Sequence, residues 1–583
     1  MVAARILLGC AVLVSTLAGR GLADPGDLDP TFNGGHLVLL DLSKTGDTGT
    51  GLAAAQIDGS GRVVVGGFAL DDSGITAAAL ARLLPDGTLD QSFGDGGKRV
   101  IQAGQGGGTV FSMLQSLIPR AGGGWAATGG ASASDGRQAA LVLAVDDTGA
   151  LDLNFGTGGS TRAQLAGAGP AYTLAFAGGG RGAADTGGNL FLAQPIALDP
   201  MDQTDVHLAV ARFTPGGVLG GFATGGVYTN EFSQVAANTT YAIAALPTPD
   251  GILAVGSTLD ATGRSAFLLV RLTLGGALDP TFGGGAGYRI QQVSDPSAGG
   301  PYSNATAVAL GPGGVIYVGG TASDADSHGA LAVARFTATG MLDTTFHGGG
   351  MARVQTGTAD PGGTPASFLG DVAVQSDGSI LLVGSSGSTT YTEMVVVRLT
   401  SNGDLDPSFG AGGIVRFQPS TVSEPETFGS GARIAPDGNT LIATGQMRQA
   451  AGGRGIVARI QLTVTTTTTT LPDTCSPPGS LAAALCALQQ LAAAVDAGAP
   501  AGRLQDRLAA SIAKCTARAT ASGDQTGRAR KKSLKRALTA LRRFQGQLRT
   551  KKAQAAIAAD TRTALADQAA QIATILTTLR AGG

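Results

Sequence analysis

Short runs of apolar residues, separated by turn-forming residues, follow one another along residues 50–460. Such runs are typical of buried β-strands. Many of them come directly after Asp-Gly or Gly-Gly, as where Asp250-Gly251 precedes the run 252–255. These dipeptides supply the positive φ angles that tight hairpins require. The pattern therefore predicts many short strands joined by hairpins over most of the chain.

A phrase of the form Leu-Asp-x-x-Phe, followed by glycines, recurs about every 60 residues, with a degraded copy at 219–222. Its phenylalanine stands at Phe32, Phe93, Phe155, Phe222, Phe282, Phe346 and Phe409. The strand pattern predicts about four short strands in each interval. Radial repetition of four-stranded sheets is typical of β-propellers. The sequence thus predicts an all-β domain over 24–462, a seven-bladed β-propeller of about 60-residue four-stranded repeats.

Two other layouts compete with the propeller, a β-solenoid and a string of small separate domains. The coils of a β-solenoid are usually shorter than these repeats, and no linker separates one unit from the next. The register of the repeat also favours a closed ring. The chain opens with a copy of the phrase at 28–32, and its last unit stops near Ile460, where the next copy should follow. We therefore expect an N-terminal strand to complete the last blade.

A conserved spacing inside the units predicts a specific contact between arginine and aspartate. The third apolar run of a unit ends in Arg, and the Asp of the phrase follows eight residues later across a turn, so the two face each other in an antiparallel hairpin. The pairs are Arg82 and Asp90, Arg271 and Asp279, Arg335 and Asp343, Arg398 and Asp406. Ring closure predicts that Arg459 pairs with Asp29. Two units depart from the pattern, with Ala144 before Asp152 and Arg212 before Gly220.

These phrases resemble the bacterial delta-60 repeat family, whose signature is L-D-x-x-F-G-x-G-G alternating with a P-D-G turn, a β run and an A-L-x-R-L strand. The similarity covers about residues 26–462. The resemblance implies a β-propeller in an extracytoplasmic location. It implies no catalytic residues, because the family mostly lacks an assigned activity.

The N-terminus has the order of a secretory signal peptide over 1–23, with Arg5, an apolar run over 6–17 and a small-x-small site before Asp24. We therefore expect an exported protein of the periplasm, cell surface or extracellular space. After cleavage three cysteines remain, Cys475, Cys486 and Cys515. An exported chain keeps disulfides, and Cys486 with Cys515 is the candidate pair because each lies in a predicted helix.

The C-terminal part differs in composition from the repeats. A Thr- and Pro-rich segment, 463–479, predicts an extended linker, and an Ala/Leu/Arg-rich pattern predicts a small all-α bundle over 480–583. Residues 463–583 carry a net charge of +11, whereas the rest of the chain carries −13. The densest basic stretch is a candidate anion-binding patch that comprises Arg528, Arg530, Lys531, Lys532, Lys535 and Arg536. Its partner would be an anionic envelope surface, and the alternative is a solvated helix face.

Composition excludes wholesale disorder, since 43% of residues are hydrophobic and 14% are charged, although 93 of the 583 residues are glycine. We find no nucleophile elbow, phosphate loop or zinc-protease motif. His36, His207, His328 and His347 occupy unrelated positions in their units. We therefore predict no catalytic, metal or cofactor-binding residues and no cofactor.

The sequence predicts a non-catalytic binding or scaffolding protein of the cell envelope or extracellular space. Its partner would be a protein or glycan bound on the propeller face, and not nucleic acid. One alternative is a hydrolase or lyase that acts on polysaccharide or small esters at the propeller channel. The other is a structural surface-display protein anchored by its helical tail. An enzyme would show one pocket lined by polar residues that the repeat does not share.

Overall fold

The computed structural model describes residues 24–44, 48–106, 110–134, 138–165, 172–173, 180–199, 202–235, 239–357, 365–388, 391–417, 426–449, 452–463, 481–498, 503–522, 525–557 and 559–581. The predicted signal peptide, Cys475 and most of the predicted linker lie outside these residues. The chain divides into two compact units, which we call the β unit, Pro25–Thr463, and the helical unit, which begins at Val464.

The β unit consists of short strands in the described residues. In its N-terminal part these are β1 (Val38–Leu40), β2 (Thr48–Gly49), β3 (Gly51–Ile57), β4 (Val63–Leu70), β5 (Thr76–Leu83), β6 (Lys98–Ile101), β7 (Ser112–Pro119), β8 (Trp125–Ser132), β9 (Gln138–Val145), β10 (Ser160–Ala163), β11 (Tyr172–Thr173), β12 (Arg181–Ala184), β13 (Leu190–Asp199), β14 (Asp202–Phe213) and β15 (Val227–Asn230).

The strands continue with β16 (Thr240–Thr248), β17 (Gly251–Leu259), β18 (Ser265–Leu272), β19 (Tyr288–Gln291), β20 (Ser303–Leu310), β21 (Ile316–Ser323), β22 (Gly329–Phe336), β23 (Met351–Val354), β24 (Ala366–Val374), β25 (Ile380–Ser388), β26 (Tyr391–Leu399), β27 (Ile414–Phe417), β28 (Glu426–Ile434), β29 (Thr440–Gln449) and β30 (Gly452–Gln461).

These strands pair in antiparallel groups of four that follow the chain order. The groups β3–β6, β7–β10, β20–β23 and β24–β27 are separate four-stranded sheets. A nine-stranded sheet holds two further groups, β12–β15 and β16–β19, which are joined by parallel bridges between Arg181 and Ala244 and between Val206 and Thr239. The last group contains β28, β29, β30 and β1.

The first strand of each group lies innermost and contacts the first strand of the next group. The contacts run from β3 to β7, β12, β16, β20, β24 and β28, and β28 contacts β3 again. The sheets therefore close into a ring around a central channel. Sheets that repeat in this way and are arranged radially form a β-propeller. The predicted all-β propeller of four-stranded repeats is confirmed.

Both ends of the β unit build the last sheet. β1, near the N-terminus, pairs antiparallel with the C-terminal strand β30. Just before β1, Leu28 bridges Ile460, and the amide of Asp29 donates to the carbonyl of Arg459 at 2.8 Å. An N-terminal strand thus completes the last group, as the repeat register predicts.

Apolar side chains fill the space between neighbouring sheets. Alternate strand residues pack against the next sheet, so that Val64 and Leu80 of the first group share a cluster with Leu117 and Leu141 of the second. The phenylalanines of the phrase are buried in such layers. Burying a side chain of this size contributes about 1.5–3 kcal/mol. Each sheet is therefore stabilised mainly by its two neighbours.

The helical unit contains five helices in the described residues. They are α1 (Leu481–Gly498), α2 (Arg503–Thr520), α3 (Gly527–Leu548), α4 (Lys551–Ala556) and α5 (Ala559–Ala581). Leu508 and Ile512 of α2 and Leu534, Leu538 and Leu541 of α3 lie in one buried apolar cluster. The periodic stripes of leucine on these helices therefore form the core of the unit.

Candidate functional site

The arginine and aspartate that recur in the β unit meet in the structure. In each predicted pair the guanidinium Nε donates to the carboxylate Oδ2. The distances are 2.7 Å for Arg82–Asp90, 2.6 Å for Arg271–Asp279, 2.9 Å for Arg335–Asp343, 2.8 Å for Arg398–Asp406 and 2.6 Å for Arg459–Asp29. The last pair joins residues 430 positions apart in the chain. The structure thus brings together the pair predicted from ring closure.

Each of these arginines also reaches the following sheet. Arg271 Nη1 donates to the carbonyl of Ala338 at 2.9 Å, and its guanidinium carbon lies 4.5 Å from the centroid of the Phe282 ring. Arg459 makes the same contact across the ring closure, donating from Nη1 to the carbonyl of Pro85 at 3.0 Å. The repeated arginine therefore links two neighbouring sheets, and we call this arginine with its aspartate partner the latch. Its recurrence in five groups indicates a structural role.

The Ser or Thr in the phrase completes the latch. Thr281 donates from its hydroxyl to Asp279 Oδ1 at 2.7 Å and accepts from Arg271 Nη2 at 3.0 Å. Ser92, Thr345, Ser408 and Thr31 make equivalent contacts in other groups. The sequence analysis did not single out this residue, although its recurrence two positions after Asp was the signal.

The two units that depart from the pattern have other partners at the positions of the repeated arginine and aspartate. Asp152, which faces Ala144 in its hairpin, accepts from Arg120 Nη1 at 2.8 Å, and Arg120 lies over Phe155 at 5.6 Å. Arg212 lacks a carboxylate partner at Gly220 and donates instead to the carbonyl of Gly221 at 2.7 Å. The arginine position is thus restored from another strand in one unit, and the aspartate is lost in the other.

The latch holds its carboxylates ionised. Burial alone would raise the pKa of Asp29, but hydrogen bonds from Thr31 and the charge of Arg459 outweigh it and lower the pKa below its usual value. For Asp90 the hydroxyl of Ser92 is the largest influence on the pKa, which is also lowered. These groups are therefore committed to ion pairs and are unsuited to proton transfer at neutral pH.

The channel at the centre of the ring encloses a cavity of about 630 Å³. Its walls are residues of the seven innermost strands β3, β7, β12, β16, β20, β24 and β28 and of the turns that follow them. A second cavity of about 250 Å³ lies against the earlier residues of the same strands, and Arg181 lines both. Charged residues in the larger cavity are Arg181, Asp185, Asp371 and Arg433.

Strand register shows that Arg181 and Asp371 occupy equivalent positions in their groups. Each faces the fourth residue of the neighbouring second strand, Ala193 in one case and Val383 in the other. In the remaining groups this position holds Ala54, Ser116, Ala244, Ala307 and Gly431. The repeat therefore keeps this ring of residues small except for one Arg and one Asp.

These two residues pair across the channel. Arg181 Nη1 lies 3.2 Å from Asp371 Oδ1, and Arg181 Nη2 donates to the carbonyl of Ser430 at 2.6 Å. Asp371 Oδ2 accepts from the amide of Ala432 at 2.9 Å. Burial raises the pKa of Asp371, opposed by the charge of Arg181. The pair thus connects β12, β24 and β28 and breaks the symmetry of the channel.

Arg433 is the second cation of the cavity and lies two residues after Gly431 on β28. Arg433 is exposed towards the channel, and partial desolvation there lowers its pKa, while the charge of Asp371 acts in the opposite sense. Among the described residues, no carboxylate lies within 4 Å of its guanidinium. Asp185, the other acid of the cavity, accepts from the amides of Gly187 and Asn189 in its own turn. Arg433 is therefore the charged group of the lining that remains available to a ligand.

The candidate anion-binding patch of the helical unit lies mainly on α3. Arg528, Lys531, Lys532, Lys535 and Arg536 are exposed, and Arg530 is partly exposed. Leu534, Leu538 and Leu541 on the other side of α3 are buried. In the described part of the helical unit, none of these basic residues forms an ion pair. The patch is thus an open cationic surface.

Cys515 lies buried in the core of the helical unit, and burial raises the pKa of its thiol to about 12. The side chain of Cys486 lies outside the described residues, so its disulfide with Cys515 stays a prediction.

The histidines do not converge, and the described chain contains no group of three or more His, Cys, Asp and Glu residues that could hold a metal ion. Among the described helices, none is long and apolar enough to cross a membrane.

The latch could be predicted from the sequence because it recurs, whereas the channel residues could not, because each occurs once. The β-bulge that precedes the position of Arg181 and Asp371 in the innermost strands was the signal that could have found them. Gly370 precedes Asp371 at a register shift, and equivalent shifts occur before Ala54 and Ala244. Aligning units on this bulge would have marked Arg181 and Asp371 as exceptions.

The repeated sheets and their latches define a β-propeller repeat protein. Four segments, 59–93, 248–282, 312–346 and 375–409, match the family described as "Domain of unknown function (DUF5122) beta-propeller". Each segment runs from the turn before the second strand to the phenylalanine of the phrase. The chain therefore carries repeats of this family, and the resemblance stated from the sequence is confirmed.

Solved structures show only distant likeness to this chain. A Hadza microbial sialidase, Hz136, has 10% sequence identity and a TM-score of 0.33, covering 67% of this chain and 74% of its own. A mutant Trypanosoma rangeli sialidase displaying trans-sialidase activity has 9% identity and a TM-score of 0.27, covering 59% and 54%. A putative glycoside hydrolase from Parabacteroides distasonis has 12% identity and a TM-score of 0.26, covering 54% and 93%. Likeness at this level does not bear on activity here, and no curated protein matches the chain.

Proposed function

We propose that this protein is an exported, non-catalytic binding or scaffolding protein, in which the helical unit contacts an anionic envelope surface and the β unit is a rigid binding head. The observation that carries the proposal is the open cationic surface of α3. The signal-peptide pattern of residues 1–23 supports export. The final compartment would be the periplasm, the cell surface or the medium.

The basic residues of α3 form a stripe opposite its buried face. Arg528, Lys532, Lys535 and Arg542 follow one another at intervals of four, three and seven residues, so they project from one side of the helix. All four are exposed. A basic helix of this kind is attracted to anionic lipid by roughly 1 kcal/mol for each basic residue near the surface. The stripe therefore suits adsorption to an anionic surface.

The latches support the role of the β unit as a rigid head. Five of them join one sheet to the next, so loops at the ring faces could vary without disturbing the sheets. Catalysis of the polysaccharide hydrolase type needs two facing carboxylates. In the described channel lining, Asp371 is held in an ion pair and Asp185 is held by its turn. The described channel lining therefore favours binding over polysaccharide hydrolysis. In the surface-display alternative the helical unit is also the anchor, but the β unit binds no ligand.

Replacing the stripe should release the protein from anionic surfaces. The variant Arg528→Gln, Lys532→Gln, Lys535→Gln, Arg542→Gln removes four charges, so we expect its affinity for vesicles rich in anionic lipid to fall by about tenfold or more. Sedimentation of the full chain with anionic and with neutral vesicles measures this. The native protein should bind anionic vesicles alone, and added salt should weaken its binding.

The matched control removes four exposed basic residues of the β unit, by Lys44→Gln, Arg264→Gln, Arg448→Gln and Arg454→Gln. It should bind as the native protein does. If both variants bind equally well, or the native protein prefers neither kind of vesicle, the proposed anchor is wrong.

A further inference from the structure

The larger channel cavity has the size and the lining of a small-molecule site. Its volume of about 630 Å³ falls within the range of about 300–1,000 Å³ that ligand pockets occupy. Much of its wall is aliphatic and includes Leu117, Ile118, Leu246 and Val308. Polar side chains share this wall, since Gln56, Gln115 and Ser116 lie beside the four charged residues, and they come from different sheets. The aliphatic part of such a wall suits the apolar body of a ligand, which the polar groups orient.

Arg433 supplies the polar contact. Its guanidinium lines the cavity without a carboxylate within 4 Å among the described residues. A guanidinium presents paired donors that match the two oxygens of a carboxylate. The unpaired cation thus selects for an anionic group.

The other charged groups limit how much negative charge the ligand carries. Arg181 is already neutralised by Asp371, and Asp185 adds a second acid to the lining. With all four groups ionised the lining carries no net charge, so a ligand with two negative charges would meet only one free cation. The lining therefore favours a single carboxylate over a phosphate ester, which is largely dianionic at neutral pH.

We propose that the channel binds a small organic monocarboxylate with an apolar body, whose carboxylate pairs with Arg433 beside the Arg181–Asp371 ion pair. This site deepens the binding role proposed for the β unit and rests on it. It is independent of the basic stripe on α3, because the stripe variant leaves every channel residue unchanged.

Calorimetric titration of the full chain tests the site with three probes of similar body, which are phenylacetate, phenylacetamide and phenyl phosphate. We expect phenylacetate to bind at least about tenfold more tightly than the other two, since a lost charge-assisted pair costs roughly 1.5–3 kcal/mol. Arg433→Gln should weaken phenylacetate by a similar factor, and Arg433→Lys should weaken it less. Arg448→Gln, at an exposed arginine of β29 that does not line the cavity, is the matched control and should bind as the native protein does.

The pH dependence of phenylacetate binding is a second readout, because burial raises the pKa of Asp371. The charged groups facing it are Arg181 from β12 and Arg433 from β28, with Asp185 after β12 in the same cavity. As the pH falls towards this pKa, Asp371 loses its charge and the lining becomes positive. Phenylacetate should therefore bind more tightly as the pH falls towards the pKa of Asp371 while the ligand itself stays ionised, and Asp371→Asn should remove this dependence.

Equal binding of phenylacetate and its amide, no binding of either, or unchanged binding by Arg433→Gln would overturn the carboxylate site. Tighter binding of phenyl phosphate would also overturn it and would point to a phosphate site. These outcomes are separable from failure of the envelope proposal, which is measured on vesicles with the stripe variant.

Discussion

A chain without residues 24–35 is expected to lose most of the stability of the β unit. The deletion removes Phe32, which is 1% exposed, and Asp29, the buried carboxylate partner of the partly buried Arg459. Removing a buried aromatic ring costs about 3–5 kcal/mol, and breaking a buried ion pair costs a similar amount. Together these losses approach the whole stability of an ordinary domain. Thermal and urea unfolding, followed by far-ultraviolet circular dichroism, measure the effect.

The deletion also removes backbone hydrogen bonds at the junction. The amides of Gly26 and Gln461 donate to the carbonyls of Gln461 and Asp27, and the amide of Gly410 donates to Pro25. Gly26 occupies the left-handed region, with φ of 101°, and a Cβ there would lie 2.5 Å from the amide nitrogen of Gly410. At this junction the N-terminal segment and β30, which come from opposite ends of the β unit, thus form contacts that a turn within the chain forms in the other units. A chain without residues 465–470, in the predicted linker, is the control and should unfold as the native protein does. Unchanged unfolding of the 24–35 deletion would contradict closure by the N-terminal segment.

Arg271→Ala is expected to destabilise the β unit by about 3–5 kcal/mol, because it leaves Asp279 buried without its ion-pair partner. It also removes the contact with Ala338 of the next sheet and the cation over Phe282. The matched variant is Arg212→Ala, whose arginine has the same place in the repeat but no carboxylate partner. That change should cost at most about 2 kcal/mol, the worth of hydrogen bonds from a charged donor. Urea unfolding of the full chain compares the two.

A double-mutant cycle isolates the pair itself. Asp279→Ala alone should also be costly, and Arg271→Ala with Asp279→Ala together should cost less than the sum of the single changes. Arg264→Ala, at an exposed turn, sets the baseline and should change stability by less than about 0.5 kcal/mol. Equal effects of Arg271→Ala and Arg212→Ala would show that the carboxylate adds nothing to the latch.

The repeat made most of the β unit predictable. Seven copies of one phrase gave the strand pattern, and the eight-residue spacing placed Arg459 against Asp29 although they are far apart in the chain. These inferences succeeded because symmetry supplies repeated observations of one contact. The helices were predictable in the same way, since their leucines recur at helical spacing.

Features that occur once could not be read from the repeat. Arg181 and Asp371 meet across the ring because their groups lie on opposite sides of the channel, and that distance depends on closure of the whole ring. Arg120, which follows β7, takes the place of the arginine missing at Ala144 of β9, so the substitution is visible only in three dimensions. Periodicity alone does not distinguish a helix as short as α4, whose N-cap is Thr550.

Hydrogen exchange of the native full chain tests the closed ring most directly, because it compares matching segments without any mutation. The segment 26–40 pairs with β30, and its counterpart in another group is 276–291, which pairs with β18. If the N-terminal segment is an integral part of the last sheet, protected amides in the two segments should exchange together, with free energies close to that of global unfolding. Exchange of 26–40 that is faster by orders of magnitude than exchange of 276–291 would contradict ring closure by the chain ends.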